Sequence, residues 1–353
     1  MAARLPAFSL RTTDAVARAP ARLTPKRWAL GMGGALAAAA VALVVGAAVG
    51  SVPLSLTSLI ADEGFARTLL FDLRLPRVLL AAVVGGALAV SGSALQSTLR
   101  NPLASPEIIG VSGGAAFAAV AALAFLPAAW LVPGAVPLAA FVGATVSTVL
   151  VFRLAHVGGR LDPYSQVLIG VIFNTFAAAL ILLVHAVVDV GRSHSIIFWL
   201  MGGISIESYE TVALAAAMVG IAATILVREA PSLNLLALGD ESASYLGVDV
   251  DRVRRRVFGA SALLVGAVVS LCGIITFAGL IVPHGLRRLV GSDNRLLVPA
   301  SLPAGAAFLV ACDALARWVV APGEIPVGAV TALAGGPFFV YLLRRKPMRQ
   351  EGL

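Results

Sequence analysis

Charge is what this 353-residue sequence has least of. Only 12% of its residues are charged, whereas soluble domains carry about 25%. Hydrophobic residues make up 59%, and they fall in continuous runs that do not alternate with a period of two. Such runs predict membrane-spanning helices, and they exclude a soluble enzyme and a transmembrane barrel.

The motifs of catalysis and nucleotide binding are absent as well. The sequence contains no G-x-x-x-x-G-K-[ST], no H-E-x-x-H and no C-x-x-C, and its four histidines lack the spacing of metal ligands. Its two cysteines, Cys272 and Cys312, lie in apolar runs and are interpreted as buried structural thiols. We therefore expect no catalytic residue, no metal site and no bound cofactor, so the chain is not expected to be an enzyme. Transport is the function class that remains.

Ten apolar segments approach the roughly 20 residues that a spanning helix needs. They are 28–50, 77–97, 107–127, 134–156, 165–188, 209–227, 257–276, 277–290, 297–320 and 326–343. The segment 196–206 is too short to span and is expected to be a re-entrant or interfacial helix. The sequence thus predicts an all-α, polytopic membrane protein with about ten transmembrane helices.

The basic residues are distributed very unevenly about these spans. If both termini are cytoplasmic, all but five of the 26 Lys and Arg residues lie on the inside. The net charge of +8 is therefore interpreted as a consequence of membrane topology and not as a sign of nucleic-acid binding. We expect a disordered basic cytoplasmic arm (1–27), a transmembrane permease domain (28–345) and a cytoplasmic tail (346–353). The five outside residues are Arg67, Arg74, Arg77, Arg192 and Arg317.

Three of the outside arginines fall at the ends of spans. Arg74 and Arg77 flank a proline in LRLPR, and Arg317 ends the ninth span. They could meet acidic groups on a docking protein, or they could simply reach toward the interface from the helix ends. Asp313 lies one turn before Arg317, and an ion pair between them would weaken the docking hypothesis for Arg317.

Small residues line one side of the second span. Gly85, Ala89, Ser93 and Ser97 repeat every four residues, which gives a smooth stripe for close helix contact. Gln96 lies beside this stripe, and a polar group at that depth must face protein or water. We expect this helix to lie inside the bundle, near a translocation path.

A polar turn, NPLASP at 101–106, follows this span. Its prolines stop a helix, and Asn101 and Ser105 can hydrogen-bond the freed backbone groups. Ser105, Pro106 and Glu107 have the order of an N-cap, an N1 proline and a first-turn acid. The sequence predicts a well-formed turn on the cytoplasmic side.

The largest internal loop, 228–256, contains LNLLALGDESASYLGVDVDRVRRR. It is interpreted as two short helices separated near Gly239 and Ser242, with Gly247 at the C-cap of the second. An insert of this shape suits binding of a cytoplasmic partner. An ordinary linker is the alternative.

Taken together, these motifs resemble the permease subunits of type II ABC importers for cobalamin, haem and ferric siderophores. The resemblance runs in order from about 50 to 345. It includes LRLPR (73–77), QSTLRNPLASPEIIGVSGGAA (96–116), FWLMGG (198–203), LGDESASYLGV (238–248), ITFAGLIVPHGLRRLVGSDNRLLVPAS (275–301) and EIPVGAVTALAGGPFFVYLL (324–343). It implies a homodimer of ten-helix subunits in the bacterial inner membrane, with two ATPase subunits that use ATP and a substrate-binding protein.

The resemblance also assigns roles to matching residues. Arg74, Arg77 and Arg317 correspond to docking arginines for the binding protein, and Asn101 and Leu103 to a cytoplasmic gate. A second gate of the family, between the fourth and fifth spans, is not carried over to GGRLDPYSQ (158–166). An ion-gradient-driven secondary transporter is the alternative function. The residues that correspond to the ATPase coupling segment are Leu238, Gly239, Asp240, Glu241, Ser242, Leu246 and Gly247.

Overall fold

The computed structural model describes residues 23–50, 64–157 and 160–345. The tail and most of the predicted N-terminal arm therefore lie outside the described residues. Two-residue strands, β1 (His156–Val157) and β2 (Arg160–Leu161), pair antiparallel. The helices are α1 (Pro25–Ala48), α2 (Gly64–Thr98), α3 (Val111–Phe125), α4 (Ala135–Leu154), α5 (Pro163–Val187), α6 (Val190–Met201), α7 (Tyr209–Leu236), α8 (Asp240–Tyr245), α9 (Val250–Cys272), α10 (Ala278–Val290), α11 (Asn294–Trp318) and α12 (Val327–Arg345).

The predicted helical membrane architecture is confirmed. Seven of the helices in the described part of the chain are long and apolar enough to cross a membrane, and α3 and the first part of α12 are shorter apolar helices. Each of the ten predicted spans corresponds to one helix. The eighth, α10, has 13 residues and is therefore about 20 Å long, less than the roughly 30 Å hydrocarbon core.

The break between the seventh and eighth spans is longer than the sequence predicts. α9 ends at Cys272, and α10 begins only at Ala278. Phe277 precedes α10 with a φ of +67°, a left-handed conformation that is uncommon outside glycine. Because the residues that connect α9 and α10 are largely apolar, hydropathy alone does not show this break.

The interior of the bundle is built around α2, as its small-residue stripe predicts. In its most apolar window 83% of the residues are buried, against 17% for α5. A Cβ added at Gly85 would lie 2.2 Å from the Gly305 carbonyl oxygen, and one added at Gly92 would lie 1.7 Å from that of Gly279. Glycine at these positions lets the backbones of α10 and α11 approach α2 more closely than any side chain permits.

The 228–256 loop is shorter than predicted and holds one short helix instead of two. α7 runs on to Leu236, because helical structure does not need to stop where apolar sequence stops. Glu229 on this extension forms an ion pair of 2.7 Å with Arg256 on α9. Between the two long helices only α8 remains, bracketed by Gly239 (φ +110°) and Gly247 (φ +86°), which agrees with the predicted C-terminal glycine.

The segments that precede the third and the sixth spans also differ from expectation. Pro106–Ile109 forms a 3-10 turn and not the start of α3, because Gly110 adopts a φ of +84° and breaks the helix there. The interfacial helix predicted at 196–206 is α6, which begins earlier, at an N-cap formed by Asp189, and ends at Met201.

Candidate functional site

Polar residues concentrate at the two ends of the bundle. The end that holds Arg74, Arg77 and Arg317 is called the arginine end here, and the opposite one, which holds α8, is called the α8 end. The turn 101–106 lies at the α8 end, since it follows α2 and the residue before it, Arg100, forms an ion pair with Asp240 of α8. The candidate site therefore consists of two separate regions.

At the arginine end, two of the three predicted arginines, Arg77 and Arg317, bind one buried carboxylate. Asp313 is 0% exposed; one of its oxygens accepts hydrogen bonds from Arg317 Nε at 2.9 Å, and the other from Arg77 Nε at 3.1 Å. Arg77 also forms an ion pair of 2.7 Å with Glu324, which is 45% exposed. The ion pair between Asp313 and Arg317 that the sequence suggested is thus formed.

Two of these arginines bind the C-terminal end of α1. Arg74 Nη1 donates to the carbonyl of Ala48 at 2.9 Å, and Arg317 donates to Gly46 at 2.9 Å and to Val49 at 2.6 Å. The last carbonyls of a helix have no intrahelical partner and carry partial negative charge, so cations stabilise them. This network links α1, α2 and α11.

Two of the three guanidinium groups are therefore turned into the protein and do not face outward. Arg74 and Arg317 are only 5% and 3% exposed, because α1 carbonyls and Asp313 draw them into the protein. Arg77 reaches an exposed carboxylate, that of Glu324. Sequence reasoning missed both that carboxylate and the α1 carbonyls, since none of these contacts is local in sequence.

At the α8 end, the predicted gate residues occupy an exposed turn. Asn101 Oδ1 accepts a hydrogen bond from the Leu103 backbone amide at 2.9 Å, the short-range bond that its type and position predict. Leu103 is 40% exposed. Arg100, which precedes the turn, adopts a φ of +48°.

The segment after this turn is bound to α5 by Asn174. Its side-chain nitrogen donates to the Glu107 carbonyl at 2.8 Å, and its oxygen accepts from the Gly113 amide at 3.0 Å. The second bond satisfies a backbone donor in the first turn of α3, which otherwise has no intrahelical partner. A Cβ added at Gly170 would lie 2.1 Å from the Ile108 carbonyl oxygen, so α5 and this segment are in backbone contact.

The predicted coupling residues form a compact knob on the surface. Ala243 anchors α8 in the core with 0% exposure, while Tyr245 is 90% exposed and Leu238 and Leu246 are each 59% exposed. Glu241, Ser242 and Gly247 are exposed too. Three large apolar side chains on such a small projection are typical of a surface that a partner covers.

A depression of about 690 Å³ lies between α8, the start of α9 and the start of α5. Its lining includes the acidic residues Asp162, Asp240, Glu241, Asp249 and Asp251. Hydrogen bonds from the side chain and amide of Ser165 hold the pKa of Asp162 below its ordinary value, so this carboxylate is charged at neutral pH. The depression is suited to basic groups of a partner.

The family's second gate region, which was not carried over, is a tight connection in the structure. β1 and β2 lead into Asp162, which caps α5, and Tyr164 is 76% exposed. Among the residues that the structure describes, no group of three or more His, Cys, Asp or Glu could hold a metal ion.

The structure is a bundle of long apolar helices that pack through glycines and carry clusters of polar residues at both ends. These features define a multi-pass membrane transport protein. The chain belongs to the FecCD transport family, which matches residues 36–345. Membership accounts for the order of motifs from the second span to the last.

Curated relatives support this assignment. The chain is 42% identical to the cobalamin import system permease protein BtuC of Halobacterium salinarum over 285 residues, which cover 80% of this chain and 75% of the relative. It is 38% identical to the hemin transport system permease protein HmuU of Yersinia pestis over 287 residues, which cover 80% of this chain and 84% of the relative. Such permeases are transport components, so the chain is not itself an enzyme.

A solved structure has the same fold. It presents an inward-facing conformation of an ABC transporter assigned to the metal-chelate type. The TM-score is 0.79 at 31% identity, and the match covers 90% of this chain and 100% of the other.

Proposed function

We propose that this protein is the permease subunit of an ATP-driven importer that takes up a metal chelate, namely a ferric siderophore, haem or cobalamin. The observation that carries the proposal is the exposed apolar knob of α8 beside an acidic depression, on a chain of the FecCD transport family. The permease supplies alternating access and performs no chemistry. ATP is bound and hydrolysed by a separate ATPase chain.

The proposed assembly contains two copies of this chain, two ATPase subunits and a substrate-binding protein. The positive-inside distribution supports an inner-membrane orientation with both termini and the α8 end in the cytoplasm. The lightly buried faces of α1, α4 and α5 provide surface for lipid and for the second copy. Asp313 is fully paired with Arg77 and Arg317, so this carboxylate is not available as the ion site of a gradient-driven transporter.

The ATPase is proposed to bind α8. Leu238, Tyr245 and Leu246 would enter a hydrophobic cleft of the ATPase, while Asp162, Glu241 and Asp251 in the depression beside them would meet its basic residues. Apolar anchors at the centre of a small interface commonly dominate its affinity. We expect Leu246→Glu to abolish copurification with the ATPase, whereas Arg252→Ala, an exposed change at the start of α9, should preserve it.

The binding protein is proposed to dock at the arginine end, in the periplasm. Glu324 shows how an acidic side chain meets Arg77 there, and a carboxylate of the binding protein could take its place. Arg74 and Arg317 would act indirectly, by fixing α1 and Asp313. We expect Arg77→Gln to lower the affinity for the binding protein and to reduce its salt dependence, and we expect Arg67→Gln at the same end to leave both nearly unchanged. Equal affinities for Arg77→Gln and the unaltered protein would refute this docking role.

The gate is proposed to be the turn that carries Asn101 and Leu103. The bond from Asn101 to the Leu103 amide holds the turn in shape, and the exposed Leu103 side chain could close the cytoplasmic end of the path in a dimer. Asn174 ties the adjoining segment to α5, so a movement of α5 would reach the gate directly.

Uptake by the reconstituted complex tests the proposal. Proteoliposomes that contain the permease and its ATPase are supplied with binding protein and, in turn, with cobalamin, haem and ferric siderophores. We expect uptake of one of these three classes of chelate. This uptake should require ATP on the side of the membrane that holds the ATPase, and it should persist when proton and sodium gradients are collapsed. Uptake that follows an ion gradient without ATP would contradict it.

A further inference from the structure

The helix α8 and the gate turn are joined by a single carboxylate. Asp240 is the first residue of α8, and its two oxygens bind two arginines from different parts of the chain. Oδ1 accepts from Arg100 Nη2 at 3.2 Å, and Oδ2 accepts from Arg254 Nη2 at 2.7 Å. Arg100 adjoins the gate turn, and Arg254 lies on α9.

The two ion pairs differ in their surroundings. Arg254 is buried, with a side chain that is 8% exposed, so its pair with Asp240 anchors α8 to the core. Arg100 and Asp240 are 37% and 40% exposed, so their pair is accessible to water and easier to break. Asp240 thus has one fixed partner and one that can be released.

The backbone of Arg100 adds to this asymmetry. Its φ of +48° is costly for a residue with a Cβ, and the ion pair to Asp240 opposes relaxation of that conformation. The guanidinium also lies over Gly239, where an added Cβ would be 3.7 Å from Nη1. The turn that carries Asn101 and Leu103 therefore begins at a residue whose side chain is held by α8.

We infer that Asp240 is a positioning residue that transmits movement of α8 to the gate turn through Arg100, while Arg254 keeps α8 seated on α9. This inference rests on the proposed function and gives Asp240 a role other than the direct ATPase contact that the sequence suggested. A shift of α8 by the ATPase would move the Asp240 carboxylate and, with it, Arg100, the residue that directly precedes the gate turn.

The test is a double-mutant cycle in the reconstituted complex. Asp240→Asn removes the carboxylate charge, and Arg100→Gly removes the side chain while permitting the positive φ. We expect each change to lower substrate uptake per ATP hydrolysed by at least about fivefold, the lower end of typical coupling between sites. The double variant should be no worse than either single one, Arg100→Lys should restore part of the coupling, and all should copurify with the ATPase.

Three outcomes would overturn the inference. Full uptake per ATP in Asp240→Asn would show that the carboxylate transmits nothing. Losses that add in the double variant would show that the two residues act separately. Loss of ATPase copurification in Asp240→Asn, with normal coupling in Arg100→Gly, would show that Asp240 contacts the ATPase directly.

Hydrogen exchange of the unaltered and variant complexes separates this inference from the proposed function. We expect the backbone amides of residues 99–105 to exchange faster in Asp240→Asn, and to be unchanged in the control Arg252→Ala, whose pair with Asp249 is local to the start of α9. If the complex takes up no chelate, the proposed function fails, but the exchange measurement still decides the link. Unchanged exchange in Asp240→Asn would refute it.

Discussion

Neutralising Asp313 should destabilise the protein far more than neutralising its exposed neighbour. Asp313→Asn keeps the size of the side chain but leaves Arg317 and Arg77, with side chains 4% and 12% exposed, without their shared counter-charge. Removing one partner of a buried ion pair typically costs about 3–5 kcal/mol. We expect a loss of this size in the free energy of unfolding, because Arg317 also holds the end of α1 against α11.

The measurement is a reversible unfolding titration with sodium dodecyl sulfate in mixed micelles. Glu324→Gln is the matched control, since it removes the other carboxylate partner of Arg77 from an exposed position and should cost about 0–1 kcal/mol. A loss of less than about 1 kcal/mol for Asp313→Asn, comparable with an exposed pair, would refute the argument that the buried carboxylate organises the arginine end.

Three further changes test other parts of the account. Leu103→Gly should make vesicles that contain the complex leak substrate in the absence of ATP, and tight vesicles would remove Leu103 from the gate. Gly92→Ala should destabilise the protein by about 1–3 kcal/mol or more, because the added Cβ would overlap the Gly279 carbonyl. Gly33→Ala is the control and should not destabilise the protein, because no atom lies within 4 Å of the position of its added Cβ. Equal unfolding midpoints for the two variants would contradict this. Hydrogen bonds, first from Arg295 and then from Asn234, lower the pKa of Asp293 to about 2. The contribution of this carboxylate to stability is therefore complete above its unfolded pKa of about 3.9, and it is lost as the pH falls through about 2. The difference in unfolding free energy between the unaltered protein and Asp293→Asn should therefore shrink between about pH 4 and pH 2, and a difference independent of pH would contradict it.

Local patterns in the sequence were sufficient for the spans and for several turns. The stripe that begins at Gly85 predicted the face of α2 that contacts another helix, because only small residues permit backbone contact. Gly247 predicted the end of α8, because a left-handed residue is needed there. Asn101 predicted a side-chain bond to a freed backbone group of the turn, because an asparagine side chain reaches the amide two residues further on.

Contacts between distant segments could not be predicted in this way. Arg77 meets Asp313 across 236 positions of sequence, and Arg100 meets Asp240 across 140. An arginine at a helix end has the same local sequence whether it faces a partner protein or a buried carboxylate. The sequence therefore located the arginine end and the segment around α8 but not the direction in which their charged groups point.

The end of α7 shows a related limit. Arg228 and Glu229 end the apolar run, so hydropathy places the end of the helix there. The helix nevertheless continues through Pro231 to Leu236, because its extension packs on α9 and the Glu229–Arg256 pair holds it there. Hydropathy reports where lipid contact ends, and only packing determines where the helix ends.

The central claim is that this chain works with an ATPase, and the mass of the intact complex tests it most directly. The permease is co-expressed with its candidate ATPase subunit, purified in mild detergent and measured by native mass spectrometry. The account predicts a complex of two permease and two ATPase chains, which Leu246→Glu dissociates. A permease that purifies without any nucleotide-hydrolysing chain, with or without that substitution, would contradict it.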